Sequence, residues 1–314
     1  MPATDPAADP MLVFDRQLLR RRRGRIASSW QRFAFLKREI AQRLGERLDD
    51  IRRQFPVALD LGCHGGELAE ALSNGSGFRG GIELFVQSDL AESLARQASV
   101  RAPAVVADEE AIPFAQASFD LVASAMSLHW VNDLPGTFAQ VRRLLRPDGL
   151  FLAALLGGET LWQLRQALGR AESEIEGGLS ARVSPFVELR DAAGLLQRAG
   201  FALPVADSER IEVSYADAFA LMKDLAGMAE SNAVQGRRRS FTRRTTLLRA
   251  AELYAEAQRS DDGRIRAVFE VIWLHGWAPH ESQQQPLRPG AARHRLADAL
   301  GTIERPAGEK AGRS

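Results

Sequence analysis

Between residues 56 and 156 the sequence alternates repeatedly between short apolar runs and helical patterns. The apolar runs cover residues 56–61, 82–87, 104–107, 119–125 and 150–156, and helical patterns follow the first two at 67–72 and 91–98 and the fourth at 134–145. Apolar runs of this length, alternating with helices, are typical of buried parallel strands joined by helical crossovers. The sequence therefore predicts an α/β domain with a mostly parallel sheet and helices on both of its faces.

The remaining segments predict a domain plan of four parts. Helical spacing is present at 160–176, 189–199, 216–229 and 245–258, and strands are expected near 209–213 and 267–273. Apolar residues at three-to-four spacing predict helices before the first strand as well. We expect a disordered leader at 1–13, an N-terminal helical cap at 14–54, the α/β domain at 55–281 with a helical insertion at about 216–260, and a disordered tail at 282–314.

Composition excludes several classes of function. The formal net charge is +1, which gives no overall field for nucleic acid, and Arg20–Arg25 and Arg237–Arg244 are read as solvated helix faces. One cysteine, Cys63, excludes an internal disulfide, and the five histidines show no metalloprotease spacing, so no metal is expected. No apolar run approaches the roughly 20 residues of a membrane span. We expect a cytoplasmic protein without a transmembrane segment.

The first strand ends in the glycine-rich turn Asp60-Leu-Gly-Cys-His-Gly-Gly-Glu. Glycines between a strand and a helix let the backbone approach a ligand closely and direct amide donors toward it. The nicotinamide fingerprint fails, because His64 stands where its second glycine would fall. The pattern is typical of S-adenosylmethionine (SAM) enzymes, so the predicted cofactor residues here are Asp60, Gly62, Gly65 and Gly66.

Acids near the ends of the next two strands fit a nucleoside. A carboxylate after the second strand accepts hydrogen bonds from ribose hydroxyls, and Asp89 is the candidate, with Glu83 as the alternative. After the third strand, Asp108 is placed to accept a hydrogen bond from the adenine amino group, and Glu109 follows it directly. Together with the glycine turn, these acids predict SAM as the cofactor.

The segment after the fourth strand is the predicted acceptor site, since ligands of open parallel sheets lie beyond the carboxyl ends of the strands. Ser127 begins it and is assigned to the cofactor site, while His129 and Asp133 are the candidate catalytic residues, His129 as a general base. Trp130 and Asn132 are candidate substrate residues. The alternative is structural, with Trp130 packed on the cofactor and Asn132 or Asp133 capping the next helix.

Further motifs carry a family resemblance. Four segments resemble the motifs of class I SAM-dependent methyltransferases, which have a Rossmann-like fold. They are Asp60-Leu-Gly-Cys, Ala107-Asp-Glu-Glu-Ala-Ile-Pro-Phe, Ser118-Phe-Asp-Leu-Val and Leu145-Arg-Pro-Asp-Gly. A second set, running from about residue 14 to 282, resembles the methyltransferase-like assembly factors of mitochondrial complex I: Phe14-Asp-Arg, Ser127-Leu-His-Trp-Val-Asn-Asp-Leu-Pro, Gly157-Gly-Glu-Thr-Leu, Val183-Ser-Pro-Phe, Asp224-Leu-Ala-Gly-Met-Ala-Glu-Ser-Asn and His275-Gly-Trp.

That resemblance implies a SAM-dependent enzyme acting on a protein, a complex I subunit, whose arginine the mitochondrial member hydroxylates. A guanidinium acceptor needs acids, for which Glu159, Asp133 and Glu230 are candidates, and Asn232 is a candidate peptide contact. Such a protein can lie at the inner membrane through its substrate complex. The family is similar in fold to the malonyl-carrier-protein methyltransferases of biotin synthesis.

Four functions are therefore compared. The first is a methyltransferase-type enzyme acting on a protein side chain in complex I assembly. The others are an arginine hydroxylase of a complex I subunit, a malonyl-carrier-protein O-methyltransferase, and a non-catalytic chaperone that binds SAM. Methyl transfer needs mainly positioning and exclusion of water, so the sequence lacks nothing that it requires.

One residue departs from the family pattern. Members commonly have glycine where this chain has His64. A side chain there crowds the methionine moiety of SAM, so we expect either weaker cofactor binding or a His64 side chain that points to solvent.

Overall fold

A seven-stranded sheet forms the centre of the chain. The computed structural model describes residues 12–75, 77–284, 298 and 301–303. The strands run in the order β3-β2-β1-β4-β5-β7-β6, with parallel pairing from β3 to β5 and antiparallel pairing of β7 with both β5 and β6. Their bounds are β1 Val57–Leu61, β2 Leu84–Asp89, β3 Ala104–Val106, β4 Phe119–Ala125, β5 Leu145–Leu156, β6 Ala202–Tyr215 and β7 Ile265–Trp277. The predicted α/β class with a mostly parallel sheet is confirmed.

Nine α-helices accompany the sheet in the described part of the chain. They are α1 Arg16–Ile26, α2 Phe35–Asp49, α3 Glu67–Leu72, α4 Glu92–Ala98, α5 Leu134–Leu144, α6 Trp162–Glu176, α7 Leu189–Arg198, α8 Ala218–Gly227 and α9 Arg244–Gln258. Two precede β1, as the spacing before the first strand predicts, and α8 and α9 lie between β6 and β7. Short 3-10 turns at Ala27–Arg32 and Leu128–Trp130 complete the elements that bear on the site.

The sheet has its topological switch between β1 and β4. From β1 the chain adds β2 and β3 on one side, and it then crosses to place β4 on the other, where Leu59 of β1 pairs with Val122 of β4. Helical crossovers diverge at such a point and leave a crevice at the carboxyl ends of the two strands. The glycine turn after β1 and the segment after β4 meet at this crevice.

Apolar side chains cover both faces of the sheet. On one face, Leu36, Ile40 and Leu44 of α2 are buried at the spacing that predicts a helix, and on the other Phe138 of α5 packs edge-on to Phe151 of β5. Residues 149–156 of β5 are buried without alternation, as expected for a strand covered on both sides. The core therefore fixes the ends of β1, β4 and β5.

The two antiparallel strands, β6 and β7, are longer than the sequence predicts. The pattern near residues 209–213 reveals only part of β6, because most of that strand is polar and half-exposed. Its pairing with β7 extends from Ala202 to Tyr215, with an irregularity between Ala202 and Val205. Backbone hydrogen bonds to a neighbouring strand, which local hydrophobicity does not report, define this edge.

The chain divides into two compact units after Pro279. The residues described up to that point form one compact unit, and residues from His280 onward form a second, of which only 280–284, 298 and 301–303 are described. Residues 1–11 of the predicted leader and 285–297, 299–300 and 304–314 of the predicted tail lie outside the described residues. Among the described helices, none combines the length and the apolar character that crossing a membrane requires.

Candidate functional site

The glycine turn after β1 is tightly enclosed. Gly62 has φ +82°, and a Cβ there would lie 2.2 Å from both Cβ and Oγ of Ser127. The turn is held because the amides of Gly62 and Cys63 both donate to the Ser88 carbonyl, at 2.9 and 2.8 Å. Gly66 also has a positive φ, +88°. At positions 62 and 66 the backbone conformation thus favours glycine.

Asp60 lies at the end of β1 and is fully buried, and neither carboxylate oxygen has a hydrogen-bond partner in the described chain. Burial raises the pKa of Asp60 to about 7, against the opposing charge of Lys37. Lys37 Nζ donates to the carbonyls of Gly62 and Ala125, each at 2.7 Å. A buried lysine of α2 thus ties the turns after β1 and β4 together, and the apolar spacing of α2 gives no sign of it.

His64 is buried, so the expectation that its side chain points to solvent is wrong. Its ring stacks on Trp30 with centroids 5.1 Å apart, and Nδ1 lies 2.8 Å from Lys37 Nζ. Burial, together with the charges of Lys37 and Arg23, holds the pKa of His64 well below its usual value. The residue has φ +51°, the left-handed conformation in which glycine is favoured. Trp30 supplies the slot that accommodates a side chain here.

Asp89 stands at the carboxyl end of β2 and faces the glycine turn. Its Oδ1 accepts from the amide of Ala91 at 2.8 Å, and its Oδ2 accepts from the amide of His64 at 3.0 Å. The alternative, Glu83, precedes β2 at the opposite end of the strand and is exposed. Of the two acids, only Asp89 lies at the crevice.

Two arginines of α1 reach the predicted nucleoside acids. Arg23, 1% exposed, donates to Asp89 Oδ2 and Glu109 Oε1, each at 3.3 Å, and to Ser127 Oγ at 3.0 Å. Arg16 bonds to Asp108 at 2.5 Å and also to Glu109. Ser127 Oγ donates to Glu109 at 2.6 Å. The cofactor candidates from three different loops are thereby brought into one cluster.

Charge in this cluster is closely balanced. Burial alone would raise the pKa of Glu109, but the charges of Arg16 and Arg23 lower it to about 2. The interpretation of Arg20–Arg25 as a solvated face is wrong for Arg23, because one face of α1 lies against the crevice. Arg16 belongs to the Phe14-Asp-Arg motif that carries the family resemblance, so this motif could have identified it as a residue of the site.

On the acceptor side, His129 and Trp130 are buried and both contact Glu230. Trp130 Nε1 donates to Glu230 Oε2 at 2.9 Å, and His129 Nε2 lies 3.0 Å from the same oxygen. The second oxygen, Oε1, makes no hydrogen bond within the described residues. Phe186 packs edge-on to both rings. Segments after β4 and α8, far apart in sequence, thus meet here.

Asp133 follows the structural alternative, whereas Asn132 neither caps the helix nor faces the cavity. Asp133 caps α5 by accepting from the amide of Gly136 at 2.8 Å, and its side chain is exposed. Asn132 pairs with the backbone of Phe14, accepting from its amide at 2.7 Å and donating to its carbonyl at 3.2 Å. Neither side chain is brought to Glu230.

The last two substrate candidates, Glu159 and Asn232, lie in different places. Glu159 forms a half-exposed ion pair with Arg210 of β6. Asn232 donates to the carbonyl of Ala181 at 2.6 Å and lines the same cavity as Glu230.

This cavity, of about 220 Å³, lies beside the carboxyl end of β5. Its walls come from α6, α8, α9, the end of β5 and the loop around Phe186. They are mainly apolar, with side chains that include Leu156, Leu164, Leu168, Met222, Leu225 and Phe269. Its polar lining residues are Thr160, Arg182, Ser184, Glu230, Ser231 and Asn232, and the charge of Arg182 is paired with Glu172. An elongated, partly apolar side chain with a polar or cationic end fits such a lining.

Comparisons with known proteins agree with this geometry. Residues 59–153 match the family model described as "Methyltransferase domain". The human protein named arginine-hydroxylase NDUFAF5, mitochondrial, is 42% identical over 285 residues, 89% of this chain and 81% of the relative. A malonyl-[acyl-carrier protein] O-methyltransferase of Methylovorus is 35% identical over 87% of this chain and 92% of its own. A candidate methyltransferase from Bacillus halodurans has the same fold, with TM-score 0.52, 15% identity, and coverage of 76% of this chain and 99% of that one.

Proposed function

We propose, since this chain belongs to the family of the methyltransferase-fold arginine hydroxylases, that it is a SAM-dependent enzyme acting on an arginine side chain of a protein. The observation that carries the acceptor part is Glu230, whose side chain is 6% exposed and lies on the wall of a mainly apolar cavity next to the crevice.

The residues of the crevice fit SAM. Asp89 is suited to the ribose hydroxyls and Asp108 to the adenine amino group, while the turn at Gly62 leaves no room for a side chain. SAM supplies, when bound, an activated methyl group on a sulfonium sulfur. Arg16 forms an ion pair with Asp108, and Arg23 forms one with Asp89. Cofactor binding therefore requires at least one of these ion pairs to break. We expect α1 to shift when SAM binds.

Glu230 is suited to an arginine acceptor. Its Oε2 is engaged by Trp130 and His129, which fix the carboxylate, and its Oε1 is available for a guanidinium N–H. The apolar cavity then accommodates the methylene stem of the arginine. His129 orients Glu230 and is the nearby group able to exchange a proton.

Hydroxylation is the reaction that the 42%-identical relative favours. It replaces a C–H bond of the arginine by C–OH, and its balance requires dioxygen and a two-electron reductant as co-substrates, with one oxygen atom entering the arginine and the other leaving as water. The alternative is methylation of a guanidinium nitrogen. The motif resemblance to complex I assembly factors supports a complex I subunit as the acceptor, and we propose a cytoplasmic enzyme that reaches the inner membrane through that complex.

The test is mass spectrometry of complex I subunits from cells with and without this gene. We expect one arginine to carry an added oxygen in the parent strain and to be unmodified in the deletion strain, with less assembled complex I. An added methylene would support methylation instead. An unmodified subunit in the parent strain, with normal complex I in the deletion strain, would refute both and favour the carrier-protein methyltransferase. Normal assembly with a Glu230→Gln protein that no longer modifies the arginine would support a chaperone.

A further inference from the structure

Five arginines line a concave groove beside the cavity. They come from α1, from the loop before α7 and from the loop between α8 and α9, and we call them the arginine groove: Arg22, Arg182, Arg237, Arg238 and Arg239. The other lining residues carry no charge. The sequence predicts a solvated face for the arginines of Arg237–Arg244, whereas the fold gathers three of them with two distant arginines.

The groove holds an excess of positive charge. Arg237 pairs with Asp15, Arg182 with Glu172 and Arg238 with Glu176. Arg182 and Arg238 also make longer contacts with each other's carboxylate. Five guanidinium groups thus face three carboxylates, which leaves two positive charges uncompensated.

The uncompensated arginines are Arg22 and Arg239. Arg22 is half-buried and donates to two carbonyls, of Ser231 at 2.6 Å and Asn232 at 2.8 Å, without a carboxylate partner. Burial and the nearby charge of Arg237 lower the pKa of Arg22. Arg239 is exposed and has no ion pair or hydrogen bond within the described residues. An anionic group would relieve the repulsion between these charges.

The groove is continuous with the cavity. Arg182, Ser231 and Asn232 line both, and Glu230 of the cavity directly precedes Ser231. A chain whose arginine enters the cavity therefore passes its neighbouring residues along the groove.

We propose that the arginine groove binds an acidic segment of the acceptor polypeptide adjoining the modified arginine. The inference rests on the proposed function, because it assigns the cavity to the arginine. The two sites recognise opposite charges of the acceptor. Its arginine binds at Glu230, and its neighbouring carboxylates bind at the arginine groove. Because the groove is concave, a polypeptide segment fits it better than the flat surface of a bilayer would.

The test measures binding without turnover. The probe is a fluorescein-labelled peptide with one arginine followed by a run of aspartates and glutamates, compared with the same peptide carrying asparagines and glutamines. Fluorescence anisotropy is recorded for the full chain, for Arg239→Glu and for Arg198→Glu. Arg198 is exposed on α7, outside the groove, so that variant changes net charge equally.

We expect the acidic peptide to bind the parent chain and Arg198→Glu with affinities within about twofold of each other, and Arg239→Glu to bind it about tenfold more weakly. The neutral peptide should bind all three weakly. Equal affinity of the parent chain for both peptides, or equal losses in both variants, would overturn the proposal.

Vesicles of phosphatidylglycerol and of phosphatidylcholine form the last arm, because the 99%-exposed Phe241 beside these arginines is also typical of a membrane contact. If Arg239→Glu loses binding to phosphatidylglycerol vesicles while its peptide affinity is unchanged, the groove binds lipid and the proposal is wrong. If the acidic peptide binds as expected but mass spectrometry of the complex I subunits finds no modified arginine, the proposed function is refuted and the groove assignment stands.

Discussion

His129 Nε2 lies 3.0 Å from Glu230 Oε2, in a buried contact between the segment after β4 and the segment after α8. The same oxygen accepts the indole N–H of Trp130 at 2.9 Å. A carboxylate held by two aromatic side chains has little freedom to turn. Glu230 is therefore positioned before any acceptor arrives, as selective recognition of a guanidinium requires.

Glu230→Gln should abolish most of the modification of the acceptor arginine while leaving SAM affinity unchanged. The amide keeps the shape of the carboxylate but loses the charge that pairs with the guanidinium, a loss of roughly 2–5 kcal/mol, or at least about 30-fold in kcat/KM. Turnover of an arginine peptide, followed by mass spectrometry, checks this. Glu159→Gln is the matched control, since Glu159 pairs with Arg210 outside the cavity. Similar losses in both variants would contradict the assignment.

Asp89→Ala should weaken SAM binding about 10- to 100-fold, because a charged hydrogen bond to the ribose contributes roughly 1.5–3 kcal/mol. Titration calorimetry with SAM and its demethylated product measures it. The control is Glu83→Ala, an exposed acid at the other end of β2, which should bind as the parent chain does. Gly62→Val should bind least, because its Cβ would lie 2.2 Å from Ser127.

Arg23→Met should destabilise the fold by about 3–5 kcal/mol, because it leaves the buried Asp89 and Glu109 without one of their cationic partners. Urea denaturation gives the free energy of unfolding. Arg20→Met removes an exposed arginine from the same helix and should cost less than about 0.5 kcal/mol. Equal stability of the two variants would show that Arg23 does not hold the crevice closed.

Asp60 should make stability depend on pH. Its pKa is about 7 in the folded protein and about 3.9 in an unfolded chain. Between these values the unfolded state releases a proton that the folded state keeps, so this contribution is full below about pH 4 and is lost as the pH rises through about 7. Relative to Asp60→Asn, the parent chain should lose on the order of 4 kcal/mol of unfolding free energy over that interval.

Urea denaturation of both proteins at a series of pH values isolates the Asp60 contribution, because other groups titrate alike in the two chains. A constant difference between their free energies of unfolding across the interval would refute the raised pKa.

The sequence by itself determined the parallel part of the sheet and the glycine turn. Strands β1, β4 and β5 are apolar enough to be read locally, since burial on both faces leaves few polar positions in them. Gly62 and Gly66 were recognisable because a turn at the carboxyl end of a strand imposes a backbone conformation that only a few residues adopt. Asp89 and Asp108 followed from their positions after strands, which are local as well.

The tertiary structure decided which charged side chains meet. Arg23 and Lys37 look like ordinary surface residues in sequence, because charged residues on a helix are usually solvated, and Glu230 is a candidate there only through the family resemblance. Each becomes buried only when a distant element packs over it: α1 on the acids after β2 and β3, α2 across the turns after β1 and β4, and the segment after α8 against His129. Hydrophobic periodicity reports which face of an element is buried, but not which polar partners from elsewhere in the chain share that face.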